Sequence, residues 1–107
     1  MAITLTVDTG NGKTLQTETV TIPHQCINAM KLAGIDFETW AGSTANSKKT
    51  ELKNGIRTML NGMATYQAAI PNNQVNVYTF LVPHLCKVLE LFETHTSAKI
   101  SVTLLIA

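Results

Sequence analysis

Ile3, Leu5 and Val7 alternate with Thr4, Thr6 and Asp8, which is the period of two that a half-buried strand requires. Thr9-Gly10-Asn11-Gly12-Lys13 follows, rich in residues that tolerate a positive φ. A second alternation sets Leu15, Thr17, Thr19 and Thr21 against Gln16, Glu18, Val20 and Ile22. Two such runs around a Gly-Asn-Gly loop predict a β-hairpin. Pro23 ends the second run, because proline has no N–H for a ladder, and it suits the first turn of a helix. A helix is expected from Pro23 to Ala33, closed by Gly34 as its C-terminal cap. The stretch from Ala41 to Ser47 reads as a loop with helix-capping residues at its end.

From Lys48 to Ala69 the apolar period changes to three and four. Leu52, Ile56, Met59, Met63, Tyr66 and Ile70 fall within about 80° of one another at about 100° per residue. This predicts one long helix, ended by Pro71-Asn72-Asn73. Gly55 and Gly62 stand inside it near one line of its surface, each costing about 1 kcal/mol relative to alanine. Close approach of another backbone along that line would account for both. Val75, Val77, Thr79 and Leu81 then alternate with Asn76, Tyr78, Phe80 and Val82, which predicts a third strand. Pro83 is expected to end it and to open a well-buried helix to Glu93. A last strand is expected from Lys99 to Ile106.

The predicted order is β-β-α-α-β-α-β over a single domain, residues 1–107. The expected fold is α+β, a two-layer sandwich of a four-stranded mixed sheet with helices on one face. In it the last β-α-β unit forms a parallel, right-handed crossover.

Charge and composition narrow the functional classes. Charged residues make up 14% of the 107-residue chain, against about 25% in an ordinary globular domain. Thr, Asn, Ser and Gln together supply 32 residues in their place. Hydrophobic residues at 45% argue against disorder, and a net charge of +1 disfavours a nucleic-acid partner. No apolar run is long enough to span a bilayer, and the N-terminal stretch lacks the basic and apolar regions of a secretory signal. The expectation is a cytoplasmic protein without membrane contact, in which Cys26 and Cys86 are reduced.

One short motif occurs twice, as Pro23-His24-Gln25-Cys26 and Pro83-His84-Leu85-Cys86. It uses both cysteines and two of the three histidines. His24, Cys26, His84 and Cys86 could together form a tetrahedral zinc site. Zinc is thus the one cofactor the motifs suggest, against an expectation of none. In a helix, residues two apart lie about 200° apart, which counts against a shared metal. A thiol in a first helical turn can instead be activated for nucleophilic chemistry. The third reading is structural, with Pro ending strands, His on the surface and Cys packed inside.

Lys49, Lys53 and Arg57 are four apart and form a basic row. With the amides of Gly42-Ser43-Thr44 they are candidate anion-binding residues, although the spacing is not that of a phosphate loop. Asp36 and Glu38 sit two apart beside Phe37 and Trp40, without the cleft that paired-carboxylate catalysis needs. No other catalytic constellation stands out, and the small-molecule ligand, if any, is unspecified.

The strands suggest where the uncharged polar residues go. With Val20 and Ile22 inward, one sheet face carries Thr4, Thr6, Ser101 and Thr103. A face so poor in charge suits an interface core, and two-fold homodimers are the commonest assembly. The functional expectation is a non-catalytic, homodimeric interaction or structural module, of the accessory kind found in phage or mobile elements. The alternative is a small-molecule or metal-binding domain, or a small enzyme, built on the two Pro-His-x-Cys segments.

Overall fold

The computed structural model describes residues 2–8 and 18–105. Three short strands form one sheet in the order β2-β1-β3. β1 (Ala2–Asp8) is central, and β2 (Glu18–Pro23) and β3 (Lys99–Leu105) flank it, both antiparallel. Ile3 pairs with Ile22 and Leu104, and Leu5 with Val20 and Val102. Between these rows Thr4 pairs with Thr21 and Thr103, and Thr6 with Thr19 and Ser101. Val20, Ile22 and Ile100 are buried, whereas Thr21 is exposed and Ser101 half-buried. Alternation therefore puts the helices on one side of the sheet.

Most of the chain is helical. A 3-10 turn at His24–Cys26 leads into α1 (Ile27–Leu32). Gly34, at φ +83°, closes α1 as expected. The Ile35 amide donates to Met30 O at 2.9 Å and the Gly34 amide to Lys31 O at 3.0 Å, the paired bonds of a Schellman cap. α2 (Phe37–Trp40) is a single turn that buries both its aromatic rings, edge to face at 5.3 Å. α3 (Ala45–Asn61) and α4 (Met63–Ala68) follow, then α5 (Val82–Thr94). The most extensive helix–helix contact is between α3 and α5, and α5 also packs against β2 and β1. Leu52, Met59, Leu81, Leu85, Val88 and Phe92 lie fully buried in the one core that results.

The α+β two-layer sandwich with a four-stranded mixed sheet expected from the sequence is not seen among the described residues, which are mostly helical. Val77–Leu81 is one turn of π-helix running directly into α5. Without that strand there is no parallel pair and no crossover among the described residues, and β3 instead joins β1 antiparallel. The alternation at Val75–Val82 arose because Val75, Val77 and Leu81 are buried while Asn76, Tyr78, Thr79 and Phe80 are exposed. The buried set 77, 81, 85, 88 and 92 has spacings of four and three, which is helical. The long helix expected over 48–69 begins at Ala45 and breaks at Gly62, whose φ −140° and ψ 41° are not helical. β1 and β2 do pair antiparallel, as a hairpin requires. The predicted turn at Thr9–Lys13, residues 14–17 of the second run and Ile106 lie outside the described residues.

Candidate functional site

The turn before α5 is closely organised by side chains. Asn76 Oδ1 accepts from the amides of Tyr78 at 3.0 Å and Thr79 at 2.9 Å, which satisfies donors a helix start leaves free. Gln67 of α4 clasps the segment from the other side. Its Nε2 donates to Val75 O at 2.8 Å, and its Oε1 accepts from the Val77 amide at 2.9 Å. The Leu81 amide then donates to Asn76 O at 3.1 Å, five residues back. Val82 donates likewise to Val77 O. The next donor in the series would be residue 83, a proline, which has none. A wider turn ahead of Pro83 relieves the clash of its ring with the carbonyl four residues earlier.

This turn displays Tyr78, 61% exposed, and Phe80, 37% exposed. His84 stacks on Phe80 with centroids 4.2 Å apart and 19° between the planes. Its Nδ1 donates to Phe80 O at 2.8 Å, which assigns the ring proton to Nδ1. Sequence reasoning missed this aromatic strip because it placed Phe80 in a strand. The signal that could have found it is Asn76 as a cap ahead of the apolar 77-81-85 spacing.

The two Pro-His-x-Cys segments occupy different settings. The first follows β2 and leaves His24 exposed and Cys26 fully buried at the start of α1. The second lies inside a continuous helical path, with His84 half-buried and Cys86 exposed. Among the described residues no group of three or more His, Cys, Asp or Glu is placed to hold a metal ion. Burial pushes the Cys26 thiol up to about 11 from 9.0, so it stays protonated and poorly nucleophilic at neutral pH. A thiol reagent at pH 8 is expected to label Cys86 rapidly and Cys26 only as the chain opens. Timed labelling with mass spectrometry checks this; two equally fast thiols would contradict the burial. Since the folded value is raised, Cys26 adds no pH dependence below pH 9. Between pH 9 and 11 the unfolded chain loses its proton first, and stability falls with rising pH.

Lys49, Lys53 and Arg57 do lie along α3, with Lys53 and Arg57 exposed and Lys49 half-buried. Lys48 beside them is engaged, 3.5 Å from Glu51 and 6.0 Å from the centre of the Trp40 ring. Of the amides proposed to assist an anion, those of Gly42 and Ser43 are already used, as are the first two of α3. Gly42 N–H donates to Ile100 O, Ser43 N–H to Trp40 O, Ala45 N–H to Ala98 O and Asn46 N–H to Thr96 O. The α3 N-terminus is thus capped by main-chain carbonyls rather than open to a phosphate. Asp36 carries the α2 turn, its carbonyl accepting from Thr39 Oγ1 at 2.9 Å and from the amides of Thr39 and Trp40. An open hollow of about 200 Å³ lies over Thr94–Ala98, smaller than the roughly 300 Å³ at which ligand pockets begin.

The strand register aligns a further set of positions, out of step with the buried Val20, Ile22 and Ile100. Its rows Thr21-Thr4-Thr103 and Thr19-Thr6-Ser101 contain no charged residue; Asp8 and Lys99 pair only at the sheet's end. Compared with protein-family models, curated proteins and solved structures, the chain has no match. No described helix is long and apolar enough to cross a membrane.

Proposed function

We propose that this chain is a non-catalytic interaction module that works as a homodimer, with its sheet as the contact element. The observation that supports the reading is the strand register, which aligns the uncharged positions Thr21, Thr4 and Thr103, and Thr19, Thr6 and Ser101, out of step with the buried Val20, Ile22 and Ile100. Solvated sheet faces intersperse charge among their threonines, whereas charge is depleted at interface cores. Thr4, Thr6, Ser101 and Thr103 remain the interface candidates, with Thr21 and Thr19 added by the register. The protonated, buried Cys26 is a poor nucleophile, which favours the non-catalytic side of the reading. Sedimentation equilibrium at high micromolar concentration is expected to give twice the 11.6 kDa chain mass. A mass that stays at one chain across the range overturns the reading.

A further inference from the structure

The register also determines which main-chain groups point out of the sheet. Ile100 N–H donates to Ser43 O, and Ile100 O accepts from Gly42 N–H. Ile100 therefore faces away from β1, and alternation turns Val102 the same way, while Ser101 and Thr103 face β1. Their partners Thr6 and Thr4 face β3, so Ile3, Leu5 and Val7 face β2 and bond Ile22, Val20 and Glu18. It follows that the amides and carbonyls of Thr19 and Thr21 point away from the sheet. The Thr21 side chain is exposed there.

The two edges are not equivalent. Residues 42–45 lie along the first half of β3, with a bridge from Thr44 to Lys99, and would obstruct a further strand there. The β2 edge carries β-branched Thr19, Val20, Thr21 and Ile22 in succession. Its one charge and its proline, Glu18 and Pro23, stand at its two ends, and no lysine or bulge lies between them.

We propose that two copies of this chain join antiparallel through β2, with Thr19 of one copy opposite Thr21 of the other, forming a six-stranded sheet. The proposal rests on the reading of the domain as a self-associating module and places the contact at the β2 edge in place of the threonine face, which an extended sheet leaves uncovered. The second copy is the occupant because the edge is complementary to itself. With the two-fold axis at Val20, outward Thr19 and Thr21 meet outward Thr21 and Thr19, and four main-chain hydrogen bonds form. Glu18 then faces Ile22 rather than the other Glu18, so like charges are not opposed. Shifting the axis to Thr21 would set Thr19 against Pro23, which has no N–H to donate. The chosen register keeps Pro23 outside the paired stretch.

Thr21→Pro removes an outward donor without touching the β1–β2 ladder, a place where edge strands accept proline. It is expected to weaken dimerisation about 100-fold or more, because two donors vanish and two acceptors are left unpaired. Thr21→Val keeps the main chain intact and is expected to remain dimeric. A Thr21→Pro protein with wild-type circular dichroism that still dimerises at full strength overturns the β2 edge but leaves self-association standing. A wild-type monomer at every concentration overturns both. Should Thr21→Pro not fold, Val20→Cys in a Cys86→Ser background tests the axis. Facing non-hydrogen-bonded pairs have Cα atoms about 4.5 Å apart, within disulfide range. Oxidation is expected to yield a covalent dimer on a non-reducing gel, and its absence overturns the register.

Discussion

Gly55→Ala is expected to lower the unfolding free energy by about 1–2 kcal/mol, although helix propensity alone favours alanine by about 1 kcal/mol. A Cβ on Gly55 would stand 2.4 Å from Ile35 Cγ1, 2.7 Å from Ile35 Cδ1 and 3.1 Å from Ala33 O. Ile35 is 1% exposed and has nowhere to retreat. Its main chain is also held by the Schellman bonds that end α1. Overpacking in such a place costs about 1–3 kcal/mol and exceeds the propensity gain. Urea unfolding reads the difference, and a stabilised variant would show that Ile35 yields. Gly62→Ala is the contrast. A Cβ there meets Tyr66 Cε2 at 3.3 Å and no main chain closer than 3.7 Å, and φ −140° is open to any residue. Its expected change is within about 0.5 kcal/mol.

These two glycines show what a sequence pattern can carry. Their seven-residue spacing suggested close approach of another backbone at both, whereas Gly55 meets chiefly the Ile35 side chain, with Ala33 O beyond it, and Gly62 meets only Tyr66 and Thr58 of its own helical path. Gly62 is where the helical path breaks, and nothing in the apolar spacing announces that break. Met59, Met63 and Tyr66 continue the same stripe across it, so burial periodicity is preserved while backbone hydrogen bonding is interrupted.

Leu81→Ala is expected to cost about 3 kcal/mol, within the range of about 2–5 kcal/mol for emptying a fully buried leucine site. Leu81 is 0% exposed, between α5 and the rest of the core. Thr79→Ala is expected to cost less than about 0.5 kcal/mol, because its side chain is exposed. Its amide bond to Asn76 Oδ1 involves the main chain and survives the change. The pair separates two backbone conformations. In a strand, residues 79 and 81 share a face and would respond alike. In the helical turn they diverge by several-fold, measurable as thermal or urea stability. Equal losses would restore the strand.

The misreading of this segment has a specific physical origin. Val75, Val77 and Thr79 are β-branched and alternate with polar or aromatic neighbours, which is local strand preference. Tertiary burial against α4 and α5 overrides it, aided by two side chains distant from the pattern. Gln67 binds the main chain at Val75 and Val77, and Asn76 caps the turn. The Gly34 cap, by contrast, was legible because only local chemistry decides it. The Pro-His-x-Cys repeat was legible as a string but not as geometry. The first copy leaves a strand and the second sits within a helix, so equal residues acquire unequal exposure. The threonine rows needed only strand alternation and the β1 register to be placed.

β1 lies between its two partners, yet its contact with β3 joins residues as far apart in the chain as Ala2 and Leu105. Even the pair nearest in sequence, Asp8 with Lys99, encloses every described helix. Closing so long a loop is entropically costly and is rewarded only when both strands arrive. The helices, whose contacts are more local, are expected to associate earlier and to offer the surface on which β1 and β3 meet. Refolding should therefore show helical signal ahead of protection at the β1 and β3 amides in pulsed hydrogen exchange. Until that last pairing, β2 has no completed sheet to extend, so the proposed joining of two copies is expected to wait on it.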